Sequence, residues 1–162
     1  MGALESFPRI TPFLWFDNQA EDAVNFYLSV FKNSRRLDTL NNNGNRPAPA
    51  TILTIAFELD GQKFTALNGG PMFKFTEAVS FVVRCESQED VDDYYSKLSA
   101  GGSESQCGWL KDKYGLSWQI VPRSMLGYLT DKDPVKAQRV MAAMMKMVKL
   151  DVSKLQDAYD GK

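Results

Sequence analysis

The feature that most restricts the fold is an internal repeat. Glu21 to Tyr27 reads EDAVNFY and Glu89 to Tyr95 reads EDVDDYY, an offset of 68 residues that sets Phe26 against Tyr94 and Tyr27 against Tyr95. A second match, at an offset of 54, aligns GQKFTAL from Gly61 with GLSWQIV from Gly115 and pairs Phe64 with Trp118 and Thr65 with Gln119. Both matches fall at the same place in the same succession of predicted elements: strand, helix, then strands. Chance likeness of two amphipathic helices would account for the first match but not for the shared order, so we read a duplicated module.

The elements follow from periodicity. RITPFLWF (Arg9 to Phe16) is a predicted strand, and Ala20, Ala23, Val24, Tyr27, Leu28 and Phe31 then recur at helical spacing, with Asn18 and Glu21 placed as a capping box. RRLDTL is a second strand and NNNGNRPAP a loop, followed by a hairpin turning at Asp60-Gly61. The order restarts with AVSFVVRC (Ala78 to Cys85) and a helix over Ser87 to Leu98, where Ser87 and Asp90 stand as cap and third helical residue. Gly101-Gly102 ends that helix, and SESQCGWLKD with LSWQIVP supplies the closing strands. From Arg123 onward the pattern is helical, with Pro134 at a helix start. In that tail Val140, Met144 and Met147 form one stripe and Met141, Met145 and Val148 its neighbour, which predicts core or subunit contact. We expect one domain over 1–162: module one at about 9–71, module two at about 78–122, and a tail over 123–162.

Composition excludes several classes of function. The chain has no histidine, which removes every His-based triad, zinc motif and facial triad. A net charge of −1 with no long basic run argues against a nucleic-acid partner. The longest apolar runs, Ala48 to Phe57 and Met141 to Leu150, are too short to span a bilayer, so no membrane partner is expected. No secretory signal pattern opens the sequence, and Cys85 and Cys107 are read as reduced strand thiols, which together predict a cytoplasmic protein.

Taken together, ITPFLWFDNQAEDAVNFY, ALNGGPMFKFTEAVSF, CGWLKDKYGLSWQIVP and VMAAMMKM resemble the PhnB-like family of the vicinal oxygen chelate superfamily. That superfamily comprises the glyoxalase, bleomycin-resistance and extradiol-dioxygenase folds, and PhnB-like members often carry the label 3-demethylubiquinone-9 3-methyltransferase. The resemblance runs from Ile10 to Ala158. It implies an α+β fold of paired βαβββ modules forming a half-barrel, helices on the convex face and a cavity inside, with C-terminal helices added. Metal-using members of the superfamily place ligands on the first and last strand of each module. Counting back from the Phe-Tyr pair, as in the family pattern, puts Pro12 and Ser80 at the first-strand positions. The last-strand positions, usually Glu, hold Thr65 and Gln119.

None of these four residues offers an imidazole or a carboxylate, so we expect no metal and no cofactor. Alternation then assigns Leu14, Phe16, Lys63, Leu67, Val82, Arg84, Ser117 and Val121 to the cavity face, and Phe13, Trp15, Phe64, Ala66, Phe81, Val83, Trp118 and Ile120 to the helix face. The predicted ligand contacts are Thr65, Ser80 and Gln119, with Asn68 of LNGGP at the rim. The expected function is binding of a small organic molecule by a metal-free homodimer of unassigned activity. Two alternatives stand: an enzyme of the same fold, as the methyltransferase label has it, and a structural or regulatory dimer. Against methyl transfer, no glycine-rich turn follows the first strand and no doubly wound parallel sheet is predicted.

Overall fold

A computed structural model describes residues 7–44 and 51–162. The chain divides into two compact units, between Phe75 and Thr76. The fold is α+β, with two four-stranded sheets and five helices among the described residues.

The first unit contains β1 (Phe13–Phe16), α1 (Ala20–Val30), β2 (Ser34–Asn41), β3 (Ile52–Leu59) and β4 (Gln62–Asn68). Its open sheet runs β1-β4-β3-β2, with β1 parallel to β4 and the other pairs antiparallel. The predicted hairpin is present, and its turn has Asp60 at φ 46 and Gly61 at φ 85. Two successive left-handed residues give the turn whose twist matches that of paired strands. Residues 45–50 of the predicted loop lie outside the described residues. Ala20, Ala23, Val24, Tyr27 and Val30 form the buried face of α1, and Tyr27 stacks on Phe57, which stacks on Phe64. Each such large side chain contributes about 1.5–3 kcal/mol by leaving water.

The second unit repeats the plan with β5 (Ser80–Cys85), α2 (Gln88–Ser99), β6 (Ser103–Glu104), β7 (Trp109–Lys111) and β8 (Ser117–Pro122), in the order β5-β8-β7-β6. The order β1-β4-β3-β2 of the first sheet maps onto it strand for strand, as duplication requires. Ser87 caps α2 as predicted, accepting from the Asp90 amide at 3.1 Å. Three helices complete this unit: α3 (Arg123–Leu129), α4 (Pro134–Met144) and α5 (Val152–Asp160). They enclose a second core of Val121, Met125, Val140, Leu150 and Leu155, onto which Met144 and Met147 pack. The methionine stripes therefore separate: Val140, Met144 and Met147 face this core, while Met141, Met145 and Val148 are exposed. Val121, predicted on the cavity face, is buried in the same core.

The start of α1 departs from expectation. Its N-cap is Gln19, which makes no side-chain cap, and the Asn18 capping box does not form. Instead Asn68 at the end of β4 reaches across, its Oδ1 accepting from the Ala20 amide at 2.9 Å while its Nδ2 donates to the Ile52 carbonyl at 2.9 Å.

The assignment of faces in β1 is also corrected. Register pairs Phe13 with Thr65, Leu14 with Ala66 and Trp15 with Leu67. Leu14 and Phe16 therefore lie on the helix face, both buried, whereas Phe13 shares the Thr65 face and is 60% exposed. The reason is one residue. Three residues, Asp17 to Gln19, link β1 to α1, but only Glu86 and Ser87 link β5 to α2. Counting back from the helix thus slips by one in the first unit and reverses every side chain. The residue equivalent to Ser80 is Thr11, not Pro12.

Candidate functional site

In the second sheet the register places Ser103, Lys111, Ser117 and Ser80 in one line across all four strands, with Trp109, Gln119 and Val82 in the line beside it. Directly paired residues share a face, so these side chains form one surface. Gln119 donates from Nε2 to Ser80 Oγ at 2.9 Å. Lys111 Nζ meets Glu77 Oε1 at 2.5 Å, and this ammonium holds the Glu77 carboxyl below its ordinary range. Between them Ser117 is 1% exposed, and its hydroxyl finds no hydrogen-bond partner among the described residues. A cavity of about 240 Å³ opens here, lined by Ser117, Lys111, Glu77, Trp109 and the β6 residues Ser103 and Glu104. A buried hydroxyl without a partner costs about 1–3 kcal/mol. Beside a cavity, such a hydroxyl can be satisfied by water or by a guest.

Local chemistry holds this line in position. Asp112, 2% exposed, accepts from the Trp118 indole at 2.9 Å and from the amides of Tyr114 at 2.9 Å and Leu116 at 3.1 Å. One carboxylate thereby closes the turn between β7 and β8 and fixes the ring beneath the sheet. Gly102 lets β6 approach: a Cβ there would lie 2.0 Å from the Lys111 carbonyl oxygen. None of Asp112, Glu77 and Lys111 stands out in the sequence as a candidate contact. Only alternation, which places Ser117 two residues before Gln119, pointed toward this cavity.

Of the predicted ligand contacts, the structure brings Ser80 and Gln119 together. Thr65 lies in the first unit, half-buried and paired with Phe13 and Ala56. Asn68 is 3% exposed, with both ends of its amide engaged in capping α1 and holding β3. Arg84, assigned by alternation to the cavity face, pairs with Glu86 at 3.2 Å in an exposed setting.

The residues at the superfamily's ligand positions do not fit a divalent metal ion. Thr11, Thr65, Ser80 and Gln119 supply hydroxyls and an amide, without a carboxylate, thiolate or imidazole. Among the described residues no three His, Cys, Asp or Glu side chains gather closely enough to hold an ion. Cys85 and Cys107 are free, and burial pushes the Cys85 thiol up to about 12. No helix of the described residues is long and apolar enough to cross a membrane.

The family model described as 3-demethylubiquinone-9 3-methyltransferase matches residues 8–121, more than half of the chain. The chain belongs to this PhnB-like family. Among solved structures, a PhnB protein from Bacillus cereus that carries the same methyltransferase description is 34% identical, with 71% of this chain and 99% of that one covered and a TM-score of 0.66. Protein PA1353 from Pseudomonas aeruginosa is 18% identical over 72% of this chain and 98% of that one, with a TM-score of 0.58. The fosfomycin resistance protein FosX from Listeria monocytogenes, solved with Mn(II) and sulfate, is 13% identical over 71% of this chain and 89% of that one, with a TM-score of 0.51. The last two likenesses show the fold alone. A comparison with curated proteins finds no match.

Proposed function

We propose that this PhnB-like protein binds a small organic molecule without a metal, in the cavity of its second unit, and that its two units act as one domain. The observation that carries the reading is the Ser117 hydroxyl, buried and unpartnered at the wall of a cavity flanked by an ion pair and an indole. At about 240 Å³ the cavity lies just below the range of drug-sized sites, which suits a compact ligand. Thr65, the first unit's equivalent of Gln119, is proposed as a contact on the corresponding face of that unit and does not line this cavity. The Asn68 amide, occupied at both ends, serves α1 instead.

A fragment screen followed by nuclear magnetic resonance on the full chain tests this. Hits should cluster on the signals of Trp109, Lys111 and Ser117, and hits scattered over the surface would sink the proposal. Metal analysis of protein purified without chelator should find less than about 0.1 ion per chain, since the donor set is neutral. A stoichiometric ion would reverse the metal-free part.

The family description favours a second reading, methyl transfer. Among the described residues the only parallel pairs are β1 with β4 and β5 with β8, and the β1–α1 connection contains no glycine, so the usual adenosylmethionine cradle is not built there. Calorimetry with adenosylmethionine decides between the readings, and micromolar binding would favour the second. Our reading also has the protein cytoplasmic, in keeping with its two free cysteines, and homodimeric, in keeping with the exposed apolar side chains Val135, Met141, Met145 and Val148. Sedimentation equilibrium returning the monomer mass would remove the dimer.

A further inference from the structure

The chemistry of the cavity wall restricts what it can hold, provided the site proposed above is the site. Ser80, in register with Ser117 but outside the cavity lining, has its Oγ accepting from Gln119 and its own hydrogen left to donate. Ser117 carries a second hydroxyl hydrogen with no acceptor, and Lys111 a third donor group with three hydrogens. Lys111 and Ser117 stand in register on adjacent strands, so the cavity wall offers an ammonium and an unpartnered hydroxyl side by side. The acceptor that does reach them is the protein's own: Glu77, on the exposed stretch between the modules, lays its carboxylate on the Lys111 ammonium. Its side chain is 63% exposed, and the pair is of the kind that water and competing ions exchange readily. Glu104 also lines the cavity, but register pairs it with Leu110 on the other face of the sheet, and its charge acts on Tyr95.

We infer that the ligand is a small organic anion whose acidic head takes the place of the Glu77 carboxylate on Lys111 and accepts from the Ser117 hydroxyl, with its apolar part against Trp109. Glu77 is then a built-in competitor. It neutralises Lys111 when the site is empty, and it swings into water when the anion enters. The buried hydroxyl, which Glu77 does not satisfy, gains its partner only in the complex. Exposed Val82, in the same line as Trp109 and Gln119, extends the apolar floor.

The test uses benzoate and its neutral isostere benzamide, titrated into the full chain and followed through the amide and indole signals. Benzoate should move the signals of Trp109, Lys111 and Ser117, and benzamide should bind at least about tenfold more weakly. Glu77→Gln removes the competitor and should tighten benzoate about threefold or more, while Lys111→Met should weaken it about tenfold. Because Glu77 is on the surface, its variant will fold even if the Lys111 variant does not. Equal binding of benzamide at those residues, or an unchanged benzoate affinity in Glu77→Gln, overturns the anion inference and leaves the binding site standing. If neither probe moves those signals at about 10 mM, weaker than any specific small-ligand site, both the inference and the site fall.

Discussion

The two sheets of this protein share one plan and spend it differently. At the cross-strand position where the first unit sets Glu58 opposite Lys63, the second sets Lys111 opposite Ser117. The first pair is two opposite charges in register, and Glu58 also meets Arg35 at 3.4 Å. The second is a cation beside a buried hydroxyl, with Glu77 supplied from a loop. The outer strands differ as well. β2 is eight residues long and covers its neighbour, whereas β6 has two residues and leaves the edge where the cavity opens. A duplicated scaffold can keep one copy satisfied and leave the other open, and the unsatisfied copy is where binding is to be sought.

That contrast can be broken in order of expected effect. Asp112→Ala should cost the most, about 3 kcal/mol or more, because it strands the buried Trp118 indole and two amides at once. Asp112→Asn, which keeps an acceptor oxygen, should lose less, and urea midpoints of the two variants measure the difference. Asn68→Ala should cost about 2 kcal/mol, since the Ala20 amide and the Ile52 carbonyl both lose a partner in the interior. Its counterpart in the second unit, Ser87→Ala, should cost about 1 kcal/mol, the usual loss of a local helix cap. Equal losses at Asn68 and Ser87 would mean that the distant cap contributes no more than a local one. Smallest of all, Glu77→Gln should leave the unfolding midpoint unchanged, because its ion pair is exposed.

The duplication was legible because it lies in periodicity: alternation in Ser117 to Val121, helical spacing from Ala20 to Tyr27, and positive-φ turns at Asp60-Gly61 and Gly115. The Ser87 cap was legible for the same reason, since donor and acceptor are three residues apart. Asn68 was not. It caps a helix 48 residues away, and a cap delivered across a sheet leaves no local pattern. The face of β1 was misread because one extra residue before α1 reverses the alternation, and no propensity reports a connection's length to that precision. Of the candidate contacts named through a resemblance, Ser80 and Gln119 are hydrogen-bonded to each other, next to Ser117 but outside the cavity lining. Lys111 and Glu77 were not found, because their meeting depends on how a loop returns to a sheet edge.

Whether Ser117 is held for a ligand rather than for the fold is tested most directly by the stability of a variant that lacks the hydroxyl. Unfolding of Ser117→Ala, followed in urea without added ligand, should show a protein at least as stable as the parent and up to about 1 kcal/mol more so, because the substitution removes a buried polar group that no protein atom satisfies. A loss of about 1 kcal/mol or more would show that the hydroxyl serves the sheet, and would contradict the claim that this cavity is a binding site.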